Sequence, residues 1–280
     1  MDVEVIRRFY ADIVVSSRAS NRSRLVAAFS AVPRERYVGP GPWQVSIGKG
    51  VYVSTPSDDL AFLYQDQIVA LVPGACLNSG SPSSHAQWLS ALAPQPGEEI
   101  VHIGAGTGYF TAILAFLVGG SGAVLAYEIE RDLAAKAARN LSHLRNVRVE
   151  AVSPIATQIP SCDAVYVNAS VTTVPDDWLD SLRPGGRLMV PLTPLDGFGG
   201  MLLLTRRTTK EKFDARFVSG ASFIGCVGGS DGDESTKLKA AFDGGGQDLV
   251  RSLRRTAHPD STCWYSSTKW WLSTAAADDD

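Results

Sequence analysis

The chain of 280 residues carries 26 lysines and arginines against 29 aspartates and glutamates, a formal charge of -3, so no overall positive field gathers nucleic acid or an anionic membrane. With 45% hydrophobic and 20% charged residues it is too apolar for a disordered chain and too sparsely charged for a long coiled coil. Its cysteines, Cys76, Cys162, Cys226 and Cys263, lie far apart, with no Cys-x-x-Cys pair and no histidine cluster, which predicts reduced thiols and no structural metal.

Met1 to Tyr10 contains Asp2, Glu4, Arg7 and Arg8 where a secretory leader needs an unbroken apolar stretch, so a cytoplasmic protein is expected. From Asp2 to Pro33, Val5, Ile6, Phe9, Ile13 and Val14, then Leu25, Val26 and Phe29, recur at helical spacing and predict two helices. The stretch from Pro33 to Pro82, rich in Gly, Pro, Ser and Tyr, reads as irregular structure covering a core. Beyond it the pattern predicts a helix through Ala86, Leu89 and Leu92, a strand at Glu99–Ile103, a helix at Phe110–Val118 and a strand at Gly122–Tyr127. A helix at Arg131–Leu144 follows, then strands at Val147–Val152 and Ala164–Val167, a helix at Asp176–Leu182, and strands at Arg187–Pro191 and Met201–Thr205. Alternating strands and helices imply a mostly parallel sheet covered on both faces. The remainder offers alternating Phe217, Ala221, Phe223 and Gly225, a turn at Gly228–Gly232, a helix near Leu238–Phe242, a tryptophan-rich end and a solvated tail at Ala275–Asp280.

Ile100 to Tyr127 lacks Asp, Glu, Lys and Arg over a length that would span a bilayer, but Gly104, Gly106, Gly108, Gly119, Gly120 and Gly122 cut it into strand, helix and strand. No membrane segment is expected. Gly104, Gly106 and Gly108 alternate between an apolar strand and an apolar helix, where missing side chains let a ligand approach the backbone and the helix start offers unpaired N–H groups. A purely structural tight turn uses the same residues. Glu128 ends the next strand, where a carboxylate takes the hydroxyls of a ribose. Dinucleotides and S-adenosylmethionine both use such a carboxylate. The dinucleotide fingerprint is G-x-G-x-x-G, and the run here is G-x-G-x-G. That spacing resembles the loop of the class I S-adenosylmethionine-dependent methyltransferases.

The ordered set of motifs from Val32 to Ile224 resembles one family among them, the protein-L-isoaspartate O-methyltransferases. Pro33-Arg-Glu-Arg-Tyr-Val38 is similar to its Pro-Arg-Glu-x-Phe-Val, Tyr64-Gln-Asp66 to its Tyr-x-Asp, and Cys162-Asp-Ala-Val-Tyr-Val-Asn-Ala169 to its Tyr-Asp-Ala-Ile-x-Val-x-Ala. Leu182-Arg-Pro-Gly-Gly-Arg-Leu-Met-Val-Pro191 resembles its Leu-Lys-Pro-Gly-Gly-Arg-Leu-x-x-Pro. The resemblance implies an α/β, Rossmann-like class I methyltransferase fold: a seven-stranded, mostly parallel sheet with helices on both faces, N-terminal helices and a C-terminal extension. The expected divisions are 1–82, N-terminal helices and covering segment; 83–224, cofactor-binding core; and 225–280, an extension packed on the core.

It further implies S-adenosyl-L-methionine as cofactor, held by His85, Gly104, Ala105, Gly106, Gly108, Glu128, Ile129, Ser153 and Asn168. Two positions depart from the family. Its Gly-x-Gly-Gln-Thr-Ile-Ser-x-Pro loop, whose serine sits beside the transferred methyl, corresponds to Gly74-Ala-Cys-Leu-Asn-Ser-Gly-Ser-Pro82, which puts Gly80 at the serine position. Its Gly-Asp-Gly beside the adenine corresponds to Val152-Ser153-Pro154. His102 stands where many methyltransferases have an acidic residue and is read as structural. The clustered Cys263-Trp264-Tyr265 and Trp270-Trp271 are read as packing the extension onto the sheet.

Methyl transfer to a carboxylate needs no general base, because the acceptor, with a reference pKa of about 4, is already ionised near neutrality. Catalysis is then mainly positioning. Asn78, Ser79, Gly80 and Ser81 are the expected orienters, the glycine through nearby backbone N–H groups. The acceptor is expected to be a peptide or protein carboxylate, with another peptide or small-molecule acceptor, or a non-catalytic cofactor-binding homologue, as alternatives.

Overall fold

The computed structural model describes residues 2–277 except Lys49, Pro73, Ala75, Cys76, Ala156, Lys210 and Ala257. The chain forms two compact units, Met1–Glu98 with Ala105–Ala151, and Glu99–Gly104 with Val152–Asp280.

The first unit opens with helices α1 (Val3–Val14) and α2 (Arg22–Ala31), as the apolar spacing predicts. The Asp2 carboxylate caps α1 by accepting the Glu4 N–H. Next come α3 (Glu35–Val38), strands β1 (Gln44–Gly48) and β2 (Val51–Ser54), α4 (Leu60–Leu63) and α5 (Pro82–Leu92). The covering segment is therefore more ordered than its Gly and Pro content suggested. Val45 and Ile47, like Val51 and Val53, alternate with their neighbours, and β1 and β2 pair as an antiparallel hairpin. Helix α5 starts where Ser81 Oγ accepts the Ser84 N–H and Pro82 occupies the first turn.

After β3 (Glu99–Ile103), which belongs to the second unit, the first unit resumes with α6 (Tyr109–Val118), β4 (Ala123–Tyr127), α7 (Arg131–Leu141) and β5 (Val147–Glu150). Helix α6 is apolar nearly all round and buried nearly all round. Helix α7 instead buries one face, Leu133, Ala134, Ala137 and Leu141, and ends three residues before the predicted Leu144. Strands β4 and β5 pair in parallel.

The second unit continues with β6 (Cys162–Val167), α8 (Asp176–Ser181), β7 (Leu182–Leu192), β8 (Gly199–Arg206), β9 (Lys212–Ala221), α9 (Gly232–Asp243), β10 (Ser252–Arg254), β11 (Cys263–Ser266) and β12 (Trp271–Ser273). Its strands lie in the order β11-β12-β10-β9-β8-β7-β6-β3. Pairing is parallel from β3 through β6 to β7 and antiparallel from β7 outward. Three of these eight, β10, β12 and β11, come from the C-terminal extension; the other five, counted with β4 and β5 of the first unit, make up the seven strands expected of a Rossmann-like class I methyltransferase core. Short connections join β7 to β8 and β8 to β9, which antiparallel neighbours allow and parallel ones do not. The extension then adds β10, β12 and β11 to the same sheet.

The C-terminal aromatics pack this addition. Tyr265, Trp270 and Trp271 are buried, Trp270 Nε1 donates to the Val174 carbonyl at 3.0 Å, and Trp264 meets Phe217 and Phe242 edge-on. The expected solvated tail is corrected as far as it is described. Ala277 is buried, and the carbonyls of Ala275 and Ala276 accept hydrogen bonds from Ser252 Oγ and Arg254. Asp278, Asp279 and Asp280 lie outside the described residues. Cys162, Cys226 and Cys263 are free thiols, and Cys76 lies outside the described residues. Among the described residues no helix is long and apolar enough to cross a membrane, and no group of three or more His, Cys, Asp or Glu side chains is arranged to hold a metal.

Candidate active site

In the first unit, the strand-to-helix turn at 105–108 is built on hydrogen bonds to the next strand. Ala105 N–H donates to the Tyr127 carbonyl at 3.0 Å, and Gly106 N–H donates to Glu128 Oε2 at 2.7 Å. The other Glu128 oxygen, Oε1, accepts the Glu130 N–H at 3.0 Å. Burial of the carboxylate raises its pKa, opposed by the backbone hydrogen bonds from Glu130 and Gly106. The Ile129 N–H also acts on this carboxylate, and with about four acceptor positions it keeps capacity for a hydroxyl donor. Gly106 has φ +58°, and a Cβ there would meet only Leu71 Cδ1 at 3.2 Å, the movable end of a side chain. At Gly108 (φ +97°), which opens α6, a Cβ would stand 2.7 Å from Leu141 Cδ1, so that glycine serves helix packing. Ile129, beside the carboxylate, is 40% exposed. The expected set Ala105, Gly106, Glu128 and Ile129 is thus assembled around one turn.

The loop 77–81 precedes α5 in the same unit, and its polar side chains are bonded within it or to its supports. Asn78 Oδ1 accepts the Gly80 N–H at 2.9 Å, and Ser79 Oγ accepts the Val69 N–H at 3.0 Å. Ser81 Oγ donates to Asp66 Oδ1 at 3.3 Å, and that oxygen also accepts the Ser83 N–H at 2.9 Å. Ser79 N–H pairs with the Val69 carbonyl. Gly80 adopts φ +67° and faces His85, whose ring is buried and stacked on Phe110 with centroids 3.6 Å apart.

Arg34, only 1% exposed, donates to the carbonyls of Leu63, Gln65 and Gln67, and reaches Ser79 Oγ at 3.5 Å. Its neighbour Glu35 accepts from the Tyr64 hydroxyl and from Arg7. Sequence reasoning quoted Arg34, Tyr64 and Asp66 as motif residues without giving them a role. The run Arg34-Glu35-Arg36 gave no sign of which charge is buried; only the fold shows Arg34 inside, where a guanidinium needs several acceptors.

In the second unit, Gly104 (φ +75°) leaves β3 against Asn168, whose backbone carbon and oxygen would each lie 3.2 Å from a Cβ at position 104. Asn168 follows β6, its N–H bonded to the Ile103 carbonyl at 2.8 Å, and its Nδ2 lies 2.8 Å from His102 Nε2. His102 is fully buried, which pushes its pKa down to about 3 and keeps the imidazole neutral. It is a partner of a predicted site residue, a role that the strand pattern did not reveal. Ser153 Oγ accepts the Ile155 N–H at 3.3 Å and donates to the Val227 carbonyl at 3.4 Å, so this hydroxyl ties its turn to the start of the extension.

Residues 12–231 match the family model described as "Protein-L-isoaspartate(D-aspartate) O-methyltransferase (PCMT)". The chain belongs to this family. Members of the protein-L-isoaspartate O-methyltransferase family are S-adenosylmethionine-dependent enzymes, and the chain is one of them. Relatives bearing the family name include proteins from Methanothermobacter thermautotrophicus, 26% identical over 72% of this chain and 85% of the relative, and Bradyrhizobium sp. (strain ORS 278), 27% identical over 78% and 92%. The Arabidopsis thaliana protein-L-isoaspartate O-methyltransferase 1 is 28% identical over 52% of this chain and 66% of its own length. Two solved structures share the fold. One, a protein-L-isoaspartate O-methyltransferase, has a TM-score of 0.64 at 22% identity, covering 86% of this chain and 70% of that one. The other, a Plasmodium falciparum protein described as a putative family member in complex with S-adenosyl-L-homocysteine, has a TM-score of 0.59 at 16% identity over 79% and 97%.

Proposed function

We propose that the protein transfers a methyl group from S-adenosylmethionine to a carboxylate of a peptide or protein, with an isoaspartyl residue as the leading acceptor. The observation that carries the cofactor side is Glu128: a buried carboxylate anchored by the Gly106 and Glu130 N–H groups, with acceptor capacity left for ribose hydroxyls. In this reading Gly104, Ala105 and Gly106 give the methionine end access to backbone, and Gly108 lets α6 start close by. Ile129 offers an apolar surface to the nucleoside, Ser153 holds the turn assigned to adenine, and Asn168 borders Gly104. His85, also assigned to the cofactor by the resemblance, adjoins the acceptor loop.

When bound, the cofactor supplies an electrophilic methyl on its sulfonium sulfur. The chain's own residues have only to hold an already ionised carboxylate in line with it, which is positioning chemistry. Asn78, Ser79, Gly80 and Ser81 form the acceptor-side loop. With their side chains bonded as described, they act by giving that loop a fixed shape. Gly80, having no hydroxyl, favours keeping a second reading, another carboxylate-bearing peptide or a small molecule as acceptor. The family assignment weighs against a non-catalytic homologue.

Incubation with labelled cofactor and an isoaspartyl peptide tests the first reading through the base-labile ester, which releases methanol. Methanol from the isoaspartyl peptide and not from its aspartyl counterpart is expected; equal release from both would favour the second reading. The proposal extends to a cytoplasmic enzyme with no nucleic acid partner, consistent with the free thiols and the charge of -3. It retains 1–82, 83–224 and 225–280 as functional divisions.

A further inference from the structure

His85 touches two elements that the proposed reaction must hold at a fixed separation. One edge of its ring meets the acceptor-side loop: a Cβ at Gly80 would stand 2.2 Å from Nε2 and 2.8 Å from Cδ2. The face of the ring lies on Phe110, centroids 3.6 Å apart and planes 12° from parallel. Phe110 belongs to the first turn of α6, directly after the glycines of the cofactor turn. Trp88, from the same helix as His85, meets the ring edge-on at 5.0 Å and 67°, so the imidazole plane is fixed from two directions. The ring is 2% exposed, which leaves it little surface to offer a ligand. Its contacts are instead with the loops on either side.

We propose that His85 is a positioning residue, a spacer whose ring sets the distance between the acceptor loop at Gly80 and the cofactor turn leading into Phe110. The proposal rests on the reading of these two loops as the acceptor and cofactor sides. In-line transfer needs its reacting atoms about 3–3.5 Å apart, and displacement by about 1 Å costs roughly a hundredfold in rate. A buried aromatic wedge holds such a distance because packed interiors have no slack to absorb its loss. The same wedge explains the glycine: the space beside residue 80 is already filled by the ring.

The test is a double-mutant cycle of His85→Ala and Gly80→Ala, with calorimetric affinity for S-adenosylhomocysteine, melting temperature, and kcat and KM for an isoaspartyl peptide measured on every protein. We expect His85→Ala to lose at least thirtyfold in kcat while binding S-adenosylhomocysteine within threefold of wild type. Gly80→Ala alone is expected to be impaired, yet in the His85→Ala background it recovers at least fivefold in kcat, because the added methyl re-enters the vacated space. That non-additivity is what a spacer requires and a general loss of stability does not give. Overturning outcomes are a loss of cofactor-product affinity as large as the loss of kcat, which returns His85 to the cofactor, strictly additive effects, or an undiminished His85→Ala. A wild-type protein that methylates no carboxylate peptide removes the functional reading and the spacer together, whereas an active wild type with an unaffected variant removes the spacer alone.

Discussion

The turn at 105–108 and the loop at 77–81 both depend on left-handed glycines, but they differ in what they leave available. Around Gly106 the backbone is bonded to a carboxylate that retains acceptor capacity, and the glycine's open side meets one movable leucine methyl. Around Gly80 the polar side chains are bonded to the loop or its supports, and the glycine's open side is filled by an imidazole. The first arrangement suits a region that receives a ligand. The second suits a region that must keep its shape. The open side of a left-handed glycine thus faces a movable methyl in one case and a packed ring in the other, and sequence spacing alone does not separate them.

The largest effect expected from this contrast is at the filled glycine. Gly80→Ser places a side chain at φ +67° against the His85 ring; left-handed strain of roughly 1–2 kcal/mol and overpacking of roughly 1–3 kcal/mol together give about 3 kcal/mol, read by urea denaturation. A serine that restored isoaspartyl activity without loss of stability would break the contrast.

Next comes His102, in the strand that leads to the turn. An unfolded chain protonates this imidazole below about 6.5, whereas the native one resists until about 3. Protons thus favour the unfolded state in that window, and stability falls as pH drops below 6.5, by about 1.4 kcal/mol per pH unit at most, or about 2 kcal/mol by pH 5. Denaturation at pH 7, 6 and 5 should show this slope in wild type and its loss in His102→Gln.

Glu128→Ala should cost at least about 1 kcal/mol in S-adenosylmethionine affinity, the value of hydrogen bonds to a charged acceptor, measured by calorimetry. Unchanged affinity would deny the turn its ligand. The smallest effect is expected for Gly106→Ala, about 1 kcal/mol of stability from left-handed strain alone, because Leu71 can move aside and no overpacking is added.

Much of this was readable from residue order. The apolar strand, alternate glycines and following acidic residue pointed to a turn whose backbone is bonded to Glu128, because each residue type there answers a local requirement of backbone or charge. The predicted helices and strands of 83–206 recur with shifts at their ends. The hairpin Gln44–Ser54 was missed because its two alternating runs are short and embedded among glycines and prolines. The bonding of Asn78, Ser79 and Ser81 was not legible either: their partners Val69 and Asp66 come from another part of the chain, and only the fold brings them together. The same holds for His85 and Phe110, since nothing in the spacing of the two announces a stacked pair. Long-range partners also explain the extension, whose strands are too brief for periodicity but find an existing sheet edge to join.

That last feature bears on how the molecule tolerates proteolytic clipping. Strand β9 pairs with β8 on one side and with β10 on the other. Removal of everything after Ile224 would strip the latter partner and bare the backbone groups it pairs at Lys212–Asp214, together with the Ala215 N–H that donates to Arg251, lengthening an open edge that can template self-association. A nicked preparation should therefore self-associate while the turn at 105–108 stays intact, and shortened versions intended for crystallisation would need a substitute edge.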